Sequence, residues 1–130
     1  MNRFRRYADS MTTTLPLAGY SIRRAEDAPT VPCPCGQSTR IVTAADSLGC
    51  SFHITQISDS VRHYHQKSAE VYYILEGDGM MELNEETLPI RSGDVITIAP
   101  GTRHRLFSRL GVKTVVVAVP AFDADDEYFD

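Results

Sequence analysis

The sequence predicts an all-β fold, a sandwich or barrel built from short strands. From Thr39 onward, short apolar runs alternate with turn residues, which is typical of such folds. No segment shows a convincing helical repeat of apolar residues. A chain of 130 residues is also the commonest size for a single domain with its own core, so one domain is expected.

Residues 1–38 are predicted to form an extended N-terminal arm. This stretch contains four of the prolines, and it shows little sustained periodicity, so at most short strands are expected in it. An arm of this kind must pack against another part of the protein to be ordered.

The barrel is predicted over residues 39–120. Nine strands are expected there, at residues 39–44, 50–57, 61–66, 70–76, 79–84, 86–91, 94–99, 103–108 and 112–119. Residues 77–79, with the sequence Gly-Asp-Gly, are predicted to form a hairpin turn, because glycine and aspartate tolerate positive φ. Residues 91–94 are predicted to form another turn. No internal repeat is visible, so a single barrel is expected.

An acidic C-terminal tail is predicted over residues 121–130. It carries five acids and no base, and without them the rest of the chain would be nearly neutral. Three arginines lie within residues 3–6, but no basic stripe continues from them, so a solvated terminus is predicted rather than a nucleic-acid surface.

Residues 7–20 lack the apolar core of a signal peptide, and no run reaches the length of a membrane span. The sequence therefore predicts a cytoplasmic protein with no nucleic-acid or membrane partner.

The three cysteines do not predict a disulfide framework. Cys33 and Cys35 form a Cys-x-Cys motif without the second pair that a zinc ribbon needs. A redox or metal role for the Cys33–Gly36 loop is one alternative. In a reducing compartment, ordinary free thiols are the favoured interpretation for these two residues and for Cys50.

A His-x-His motif followed by a glutamate predicts a metal centre. His63 and His65 lie two residues apart in a predicted strand, so both project from the same face. Glu70 can then complete the two-histidine, one-carboxylate arrangement that suits first-row metals. A tight turn precedes a further imidazole at His104. The predicted metal ligands are therefore His63, His65, Glu70 and His104, whereas His53 is not predicted to be a ligand.

This pattern resembles the two motifs of the cupin superfamily, G(x)5HxH(x)3-4E(x)6G and G(x)5PxG(x)2H(x)3N. Besides the four predicted ligands, the motif positions are filled by Gly77, Gly93 and Gly101. The chain departs from the motifs at Ile57, Ala99 and Ser108, and none of these positions is a ligand in the family.

The resemblance covers residues 39–120 and is to a small single-domain member, or monocupin, of the cupin 2, mannose-6-phosphate isomerase-like type. It implies a double-stranded β-helix, also called a jelly-roll barrel. It further implies one divalent transition metal per chain, which could be iron, manganese, nickel or zinc. It also implies that the arm packs on the barrel or on a partner subunit.

The alternation of side chains along the predicted strands refines this site. Tyr72 shares its face with Glu70, so Tyr72 is predicted to face the cavity as a catalytic candidate for proton transfer. Leu106 and either Met80 or Met81 would make the rest of the pocket mostly apolar. In the strand at 50–57, His53 would lie on the polar side.

The opposite face of residues 70–76 carries an apolar stripe formed by Val71, Tyr73 and Leu75. Such a stripe on an edge favours a partner sheet, and a homodimer is predicted.

The predicted function is that of a metal-dependent enzyme acting on a small organic molecule, of the dioxygenase, isomerase or lyase type that the cupin resemblance implies. Arg62, Arg103 and Arg105 should point away from the ligands, which counts against a sugar-phosphate substrate. One alternative is a non-catalytic cupin module that binds a small ligand or a metal. A purely structural metal is a further alternative, but structural sites are usually closed by protein ligands.

Overall fold

The computed structural model describes residues 19–130, which form a curled antiparallel sheet of eight strands. The strands are β1 (Thr30–Cys33), β2 (Gly36–Val42), β3 (Ser51–Asp59), β4 (Ala69–Glu76), β5 (Asp78–Leu83), β6 (Glu86–Arg91), β7 (Val95–Ile98) and β8 (His104–Val119). Single 3₁₀ turns lie at Ala25–Asp27, Ala44–Asp46 and Ala124–Asp126, and the described part of the chain contains no α-helix. The predicted all-β class is confirmed.

β8 is the strand around which the sheet is built. The order of strands is β1-β2-β3-β8-β4-β7, and β5 pairs with both β6 and β8. The second half of β8 lies between β3 and β4, while its first four residues pair with β5. β4 and β5 are consecutive in the chain, and both pair with β8, β4 with its second half and β5 with its first half. The sheet therefore curls into a barrel, and β8 is the strand that both parts share.

Three predictions about strands and turns are wrong. Residues 103–108 and 112–119 belong to one strand, because Gly111 adopts a positive φ of 89° and the chain bends without leaving the sheet. Residues 77–79 do not form a hairpin, since β4 and β5 both pair with β8 and not with each other. A Cβ at Gly77 would lie 2.5 Å from the carbonyl oxygen of Gly111, so the two bends pack closely.

The third incorrect prediction concerns residues 61–66, which are extended but do not form a strand. His63 pairs with His104, and the next residue, Tyr64, pairs with Tyr128. Because successive residues pair with different partners, no regular ladder develops.

The described part of the predicted arm contributes to the sheet. Residues 1–18 lie outside the described residues, but β1 and the start of β2 fall within residues 19–38. Within residues 19–130, β1 pairs only with β2, which in turn pairs with β3. In front of β1, both guanidinium nitrogens of Arg23 donate to the carboxylate of Asp46 at 2.8 Å, an ion pair that is almost fully buried.

The inward faces of the strands change from apolar to polar along the barrel. The apolar end holds the core, which consists of Ile57, Tyr72, Ile74, Met81, Ile90, Ile96, Ile98, Leu106 and Val112. In β4, Glu70, Tyr72 and Ile74 are buried while Val71 and Tyr73 are exposed, as the alternation predicted. Each inward row of side chains therefore leads from the core toward a polar end of the barrel.

β3 also has an inward face that changes from apolar to polar, but the sequence did not reveal which face of this strand points inward. Ser51, His53 and Thr55 are buried and lie on the same face as core residue Ile57. The prediction correctly placed His53 on the polar face, and that polar face points into the barrel. No helix in residues 19–130 is long and apolar enough to cross a membrane.

Candidate metal centre

The backbone brings the two predicted histidine motifs together directly. The amide of His63 donates to the carbonyl oxygen of His104 at 3.1 Å, and the amide of His104 donates back at 2.9 Å. This antiparallel pair places the two imidazole rings 4.3 Å apart between their centroids. His65 is fixed by its own carbonyl oxygen, which accepts from the amide of Gly101 at 2.7 Å.

Each of the three imidazoles is anchored through Nδ1 to a backbone carbonyl oxygen. His63 contacts Val61 at 2.7 Å, His65 contacts Asp126 at 2.9 Å, and His104 contacts Thr102 at 2.8 Å. A carbonyl oxygen only accepts hydrogen bonds, so each Nδ1 carries the proton. In the neutral rings, Nε2 is then left with a free lone pair. This arrangement is typical of metal-binding histidines.

Glu70 completes the group from β4. Its Oε1 lies 3.2 Å from Nε2 of His65 and 3.0 Å from Nε2 of His104. One ligand atom from each of the four predicted side chains lies within 4.8 Å of the others. Two ligands on opposite sides of one ion at about 2.1 Å would be separated by about 4.2 Å, so the spacing fits a single ion closely.

The donor atoms also fit a cation chemically. Nε2 of His65, Oε1 of Glu70 and Nε2 of His104 are buried and have no hydrogen-bond partner. The short distances between them are not hydrogen bonds in the neutral rings, because a lone pair then faces a carboxylate oxygen. Buried polar atoms without partners are costly, and one cation among them would satisfy all of them. Three imidazoles and one carboxylate are a donor set for a divalent first-row metal.

The charges at the site favour ligands that are ready to bind a cation. Burial would raise the pKa of Glu70, but the adjacent imidazoles of His104 and His65 lower it to about 2, so the carboxylate is ionised. Burial, helped by nearby His104, lowers the pKa of His63 to about 4 and keeps this ring neutral. Burial would also lower the pKa of His65, but the close contact with Glu70 and the negative charge of Glu70 raise it. His65 is therefore the ring at which a proton competes with a metal.

The C-terminal segment supports the centre from outside. The Asp126 carboxylate accepts hydrogen bonds from the amides of Gln66, Lys67 and Ser68, at 3.0 to 3.1 Å. Its carbonyl oxygen anchors His65. Asp126, which was predicted only as part of an acidic tail, therefore holds the loop between two predicted ligands, His65 and Glu70.

Glu127 brings a second carboxylate to the centre. Its Oε1 lies 3.9 Å from Nε2 of His63, and only 13% of its side chain is exposed. Burial raises the pKa of Glu127. Sequence reasoning missed this residue because an acidic tail gives no periodic signal that would direct one of its acids inward.

A cavity of about 40 Å³ adjoins the centre, and most of the residues that line it carry a polar group. They include Cys33, Cys35, Ser38, Arg40, His53, Thr55, Tyr72, Val116, Phe122 and Glu127. Leu106 and Met81 point into the barrel as predicted, but they belong to the core and do not line this cavity. Arg40 pairs across the sheet with His53, so the alternation that places His53 inward could also have identified Arg40.

Besides the predicted metal ligands, two polar side chains of this cavity have atoms without hydrogen-bond partners. Oγ of Ser38 and Nε of Arg40 are buried and unpaired, and the Arg40 guanidinium lies 5.2 Å from the centre of the Phe122 ring. The three arginines that were predicted to point away from the ligands do so. Arg62 and Arg105 contact Glu82, and Arg103 contacts Asp130.

His53 and Tyr72 line the cavity without belonging to the group of four ligands. Burial, helped by the charge of Arg40, lowers the pKa of His53 to about 4. Tyr72 is only 4% exposed, and its ring lies 6.2 Å from that of His104. Burial raises the pKa of the Tyr72 phenol well above its usual value, so the hydroxyl keeps its proton.

The expectation of three free thiols is wrong for two of them. Cys33 and Cys35 form a disulfide, and Cys50 is free. The two bonded residues lie at the turn between β1 and β2, where their Cα atoms are 5.2 Å apart, a normal separation for a disulfide.

Comparison with known proteins identifies a family model and several relatives that match this chain. Residues 52–119 match the family model of the cupin domain. A 71-residue segment, 53% of this chain, is 35% identical to an uncharacterized protein of Methanocaldococcus jannaschii and covers 57% of it. A 93-residue segment is 31% identical to L-ectoine synthase of Halomonas elongata and covers 68% of each protein. The matched segment thus spans little more than half the length of the first of these relatives.

Among solved structures, a protein from Planctomyces limnophilus superposes with a TM-score of 0.80 at 30% sequence identity. The superposition covers 86% of this chain and 98% of the other. The family model extends over more than half of the chain. This protein therefore belongs to the cupin domain family.

Proposed function

We propose that this cupin is a metal-dependent enzyme that acts on a small organic molecule, with His63, His65, Glu70 and His104 as ligands of one divalent transition metal. The observation that carries the proposal is the convergence of buried, unpartnered Nε2 and Oε1 atoms on one point. The donor set is compatible with iron, manganese, nickel or zinc. When bound, such a metal supplies Lewis-acid activation of a ligand beside it.

The cavity walls support a small polar substrate. Unpaired Nε of Arg40 and Oγ of Ser38 can receive an anionic or hydrogen-bonding group of the substrate. This pair supports a small organic acid or another small anion as the substrate class, whereas the outward arginines count only against a sugar phosphate. The similarity to an L-ectoine synthase is consistent with a small-molecule substrate.

Two residues are proposed to handle protons in this cavity. Tyr72 keeps its phenolic proton and lies beside His104, so it can donate a hydrogen bond to a group bound at the centre. Glu127 places a carboxylate beside His63 and can accept a proton from, or pair with, a cationic part of the substrate. An isomerase or lyase type of reaction, which needs positioned proton donors and acceptors, fits this pair of residues; a dioxygenase remains a second type that the same ligand set supports.

The alternative is a non-catalytic cupin module that holds a small ligand or a metal. It predicts the same metal binding, but no consumption of any ligand that binds beside Arg40. Turnover in a panel of small carboxylates and sugar acids, with and without metal, separates the two functions.

We also propose that the protein is a homodimer. Val71, Tyr73, Leu75 and Val95 are large apolar residues on the outer faces of β4 and β7, and each is more than a third exposed. β4 and β7 are adjacent strands, and β7 ends the order β1-β2-β3-β8-β4-β7, so these side chains form one apolar face near a sheet edge. A second copy would cover this face.

The first experiment measures the metal content of the purified protein by elemental mass spectrometry, beside the double variant His63→Ala, His65→Ala. We expect about one equivalent of a divalent metal in the wild type and none in the variant, because half of the ligands are lost. Circular dichroism of both proteins checks that the variant is folded. A wild type that stays empty when offered iron, manganese, nickel and zinc would contradict the proposal.

A further inference from the structure

The disulfide between Cys33 and Cys35 lies in the wall of the metal cavity. Both residues line the same cavity as His63, His65 and Glu70, and both are half-buried, so part of each remains accessible to solvent. The bond joins residues only two positions apart. So short a loop constrains the unfolded chain little, so the disulfide contributes little as a general stabiliser of the fold.

A short chain of hydrogen bonds connects this disulfide to a proposed metal ligand. The carbonyl oxygen of Pro34, the residue between the two cysteines, accepts from the amide of Val61 at 3.1 Å. The carbonyl oxygen of Val61 in turn accepts from Nδ1 of His63 at 2.7 Å. The disulfide-bonded turn is therefore two hydrogen bonds away from the ring that carries a ligand atom.

The turn is also fixed on its other side. Gly36 follows Cys35 with a φ of 141°, and a Cβ at this position would collide with the backbone of Gln56 in β3. Because the turn is packed against β3 and closed by the disulfide, the Pro34 carbonyl has one defined direction, toward Val61. Opening the disulfide removes one of these two constraints.

We propose that Cys33 and Cys35 form a redox-active pair whose oxidised state holds His63 in position and raises the metal affinity of the centre. In the reduction, the Cys33–Cys35 sulfur–sulfur bond breaks and receives two electrons and two protons from a dithiol. The dithiol closes its own disulfide, so the products are two cysteine thiols and one oxidised dithiol. This inference rests on the proposed metal centre.

Reduction is expected to lower metal affinity about tenfold, the lower end of the effect of losing partners that orient metal ligands. Mn²⁺ is the suitable probe for this effect. It prefers oxygen ligands and takes thiolates poorly, so the two new thiols do not compete for it, and its weak place in the Irving–Williams order keeps affinities measurable.

The experiment titrates the full chain with Mn²⁺ under argon, before and after treatment with dithiothreitol and its removal, and follows free Mn²⁺ by electron paramagnetic resonance. Alkylation followed by mass spectrometry counts thiols: one in the oxidised protein, Cys50, and all three cysteines in the reduced protein. The variant Cys33→Ser, Cys35→Ser imitates the reduced state, and Cys50→Ser is the matched control.

We expect the wild type and Cys50→Ser to lose about tenfold in affinity on reduction, and the double serine variant to bind weakly before and after treatment. Equal Mn²⁺ affinity in both states of the wild type overturns the inference and leaves the metal centre standing. A response that persists in the double variant also overturns it. If neither Mn²⁺ nor iron, nickel or zinc binds to any form, while the thiol count changes as expected, the metal centre and the inference are overturned together.

Discussion

The cavity beside the candidate metal centre and a much larger hollow on the described surface differ in the state of their polar groups. The hollow measures about 900 Å³ and lies between the ends of β3, β5 and β6 and the first half of β8. The cavity beside Glu70 measures about 40 Å³. By size alone, the hollow would be the binding site.

Several polar groups of the hollow, however, are already paired. Arg105 donates to Asp59 at 2.7 Å and to Glu82 at 2.6 Å, and Oγ of Ser108 bonds to the carbonyl oxygen of Asp78 and the amide of Gly111. None of the described residues that line the hollow has a buried polar side-chain atom without a hydrogen-bond partner. The hollow therefore offers space but few groups that need a ligand.

The cavity shows the opposite arrangement. Four side chains that line it have a buried polar atom without a hydrogen-bond partner, namely Ser38, Arg40, His65 and Glu70, and the adjacent His104 has another. Buried polar atoms of this kind call for an explanation, and a bound ligand is one that would satisfy them. Unsatisfied buried atoms, and not volume, thus mark the candidate functional end of this barrel, and three changes test that difference.

The largest effect is expected for Glu70→Gln, which removes the only negative charge among the four proposed ligands. Divalent-metal affinity should fall at least about 100-fold, the upper end of what is lost with the outer partners of metal ligands. Isothermal titration calorimetry with Mn²⁺ measures this affinity. The matched control is Glu76→Gln on the exposed end of the same strand, which should bind as the wild type does. Unchanged affinity in Glu70→Gln would refute the assignment of this carboxylate as a ligand.

An intermediate effect is expected for Asp126→Asn, which weakens the hydrogen bonds to the loop between His65 and Glu70. The free energy of unfolding at neutral pH should fall by about 3 kcal/mol, since a charged acceptor of several buried amides is lost. Metal affinity should also fall about tenfold, because the same segment orients His65. The exposed neighbour Asp125→Asn serves as the control.

The stability effect of Asp126 should depend on pH. Burial would raise the pKa of this carboxyl, but the amides of Lys67, Ser68 and Gln66 lower it below its ordinary value of 3.8. Because the pKa of Asp126 is lower in the folded state, its carboxylate stabilises the fold at pH values above 3.8. This stabilisation is lost as the pH falls through the pKa of the folded state. Urea unfolding should therefore show the gap between wild type and Asp126→Asn closing below pH 3.8. A gap that stays constant into strong acid would contradict this role.

The smallest effect is expected in the hollow, for Arg105→Gln. Its partner Asp59 is 66% exposed, and such surface ion pairs contribute at most about 1 kcal/mol to the free energy of unfolding. Metal affinity should not change. Urea unfolding and the Mn²⁺ titration measure both quantities, and a large loss of metal binding would show that hollow and cavity are coupled.

Much of the metal centre follows from residue spacing. The period of extended chain places His63 and His65 on one face, and the same alternation turns Glu70 and Tyr72 inward in β4. His104 was predicted from the tight turn that precedes it and is supported by the cupin motifs, because spacing within one strand could not have connected it to the others. The all-β class and most of the strands followed from alternation and turn residues.

The tertiary structure alone decided what surrounds those ligands. Arg40, Glu127 and the Cys33–Cys35 disulfide reach the cavity from segments that carry no periodic signal, or whose inward face the sequence left ambiguous. Local sequence determines which residues share a face of a strand. Which face points inward, and which turn or tail covers the end of the barrel, depends on pairings between distant residues such as Tyr64 with Tyr128 and His63 with His104.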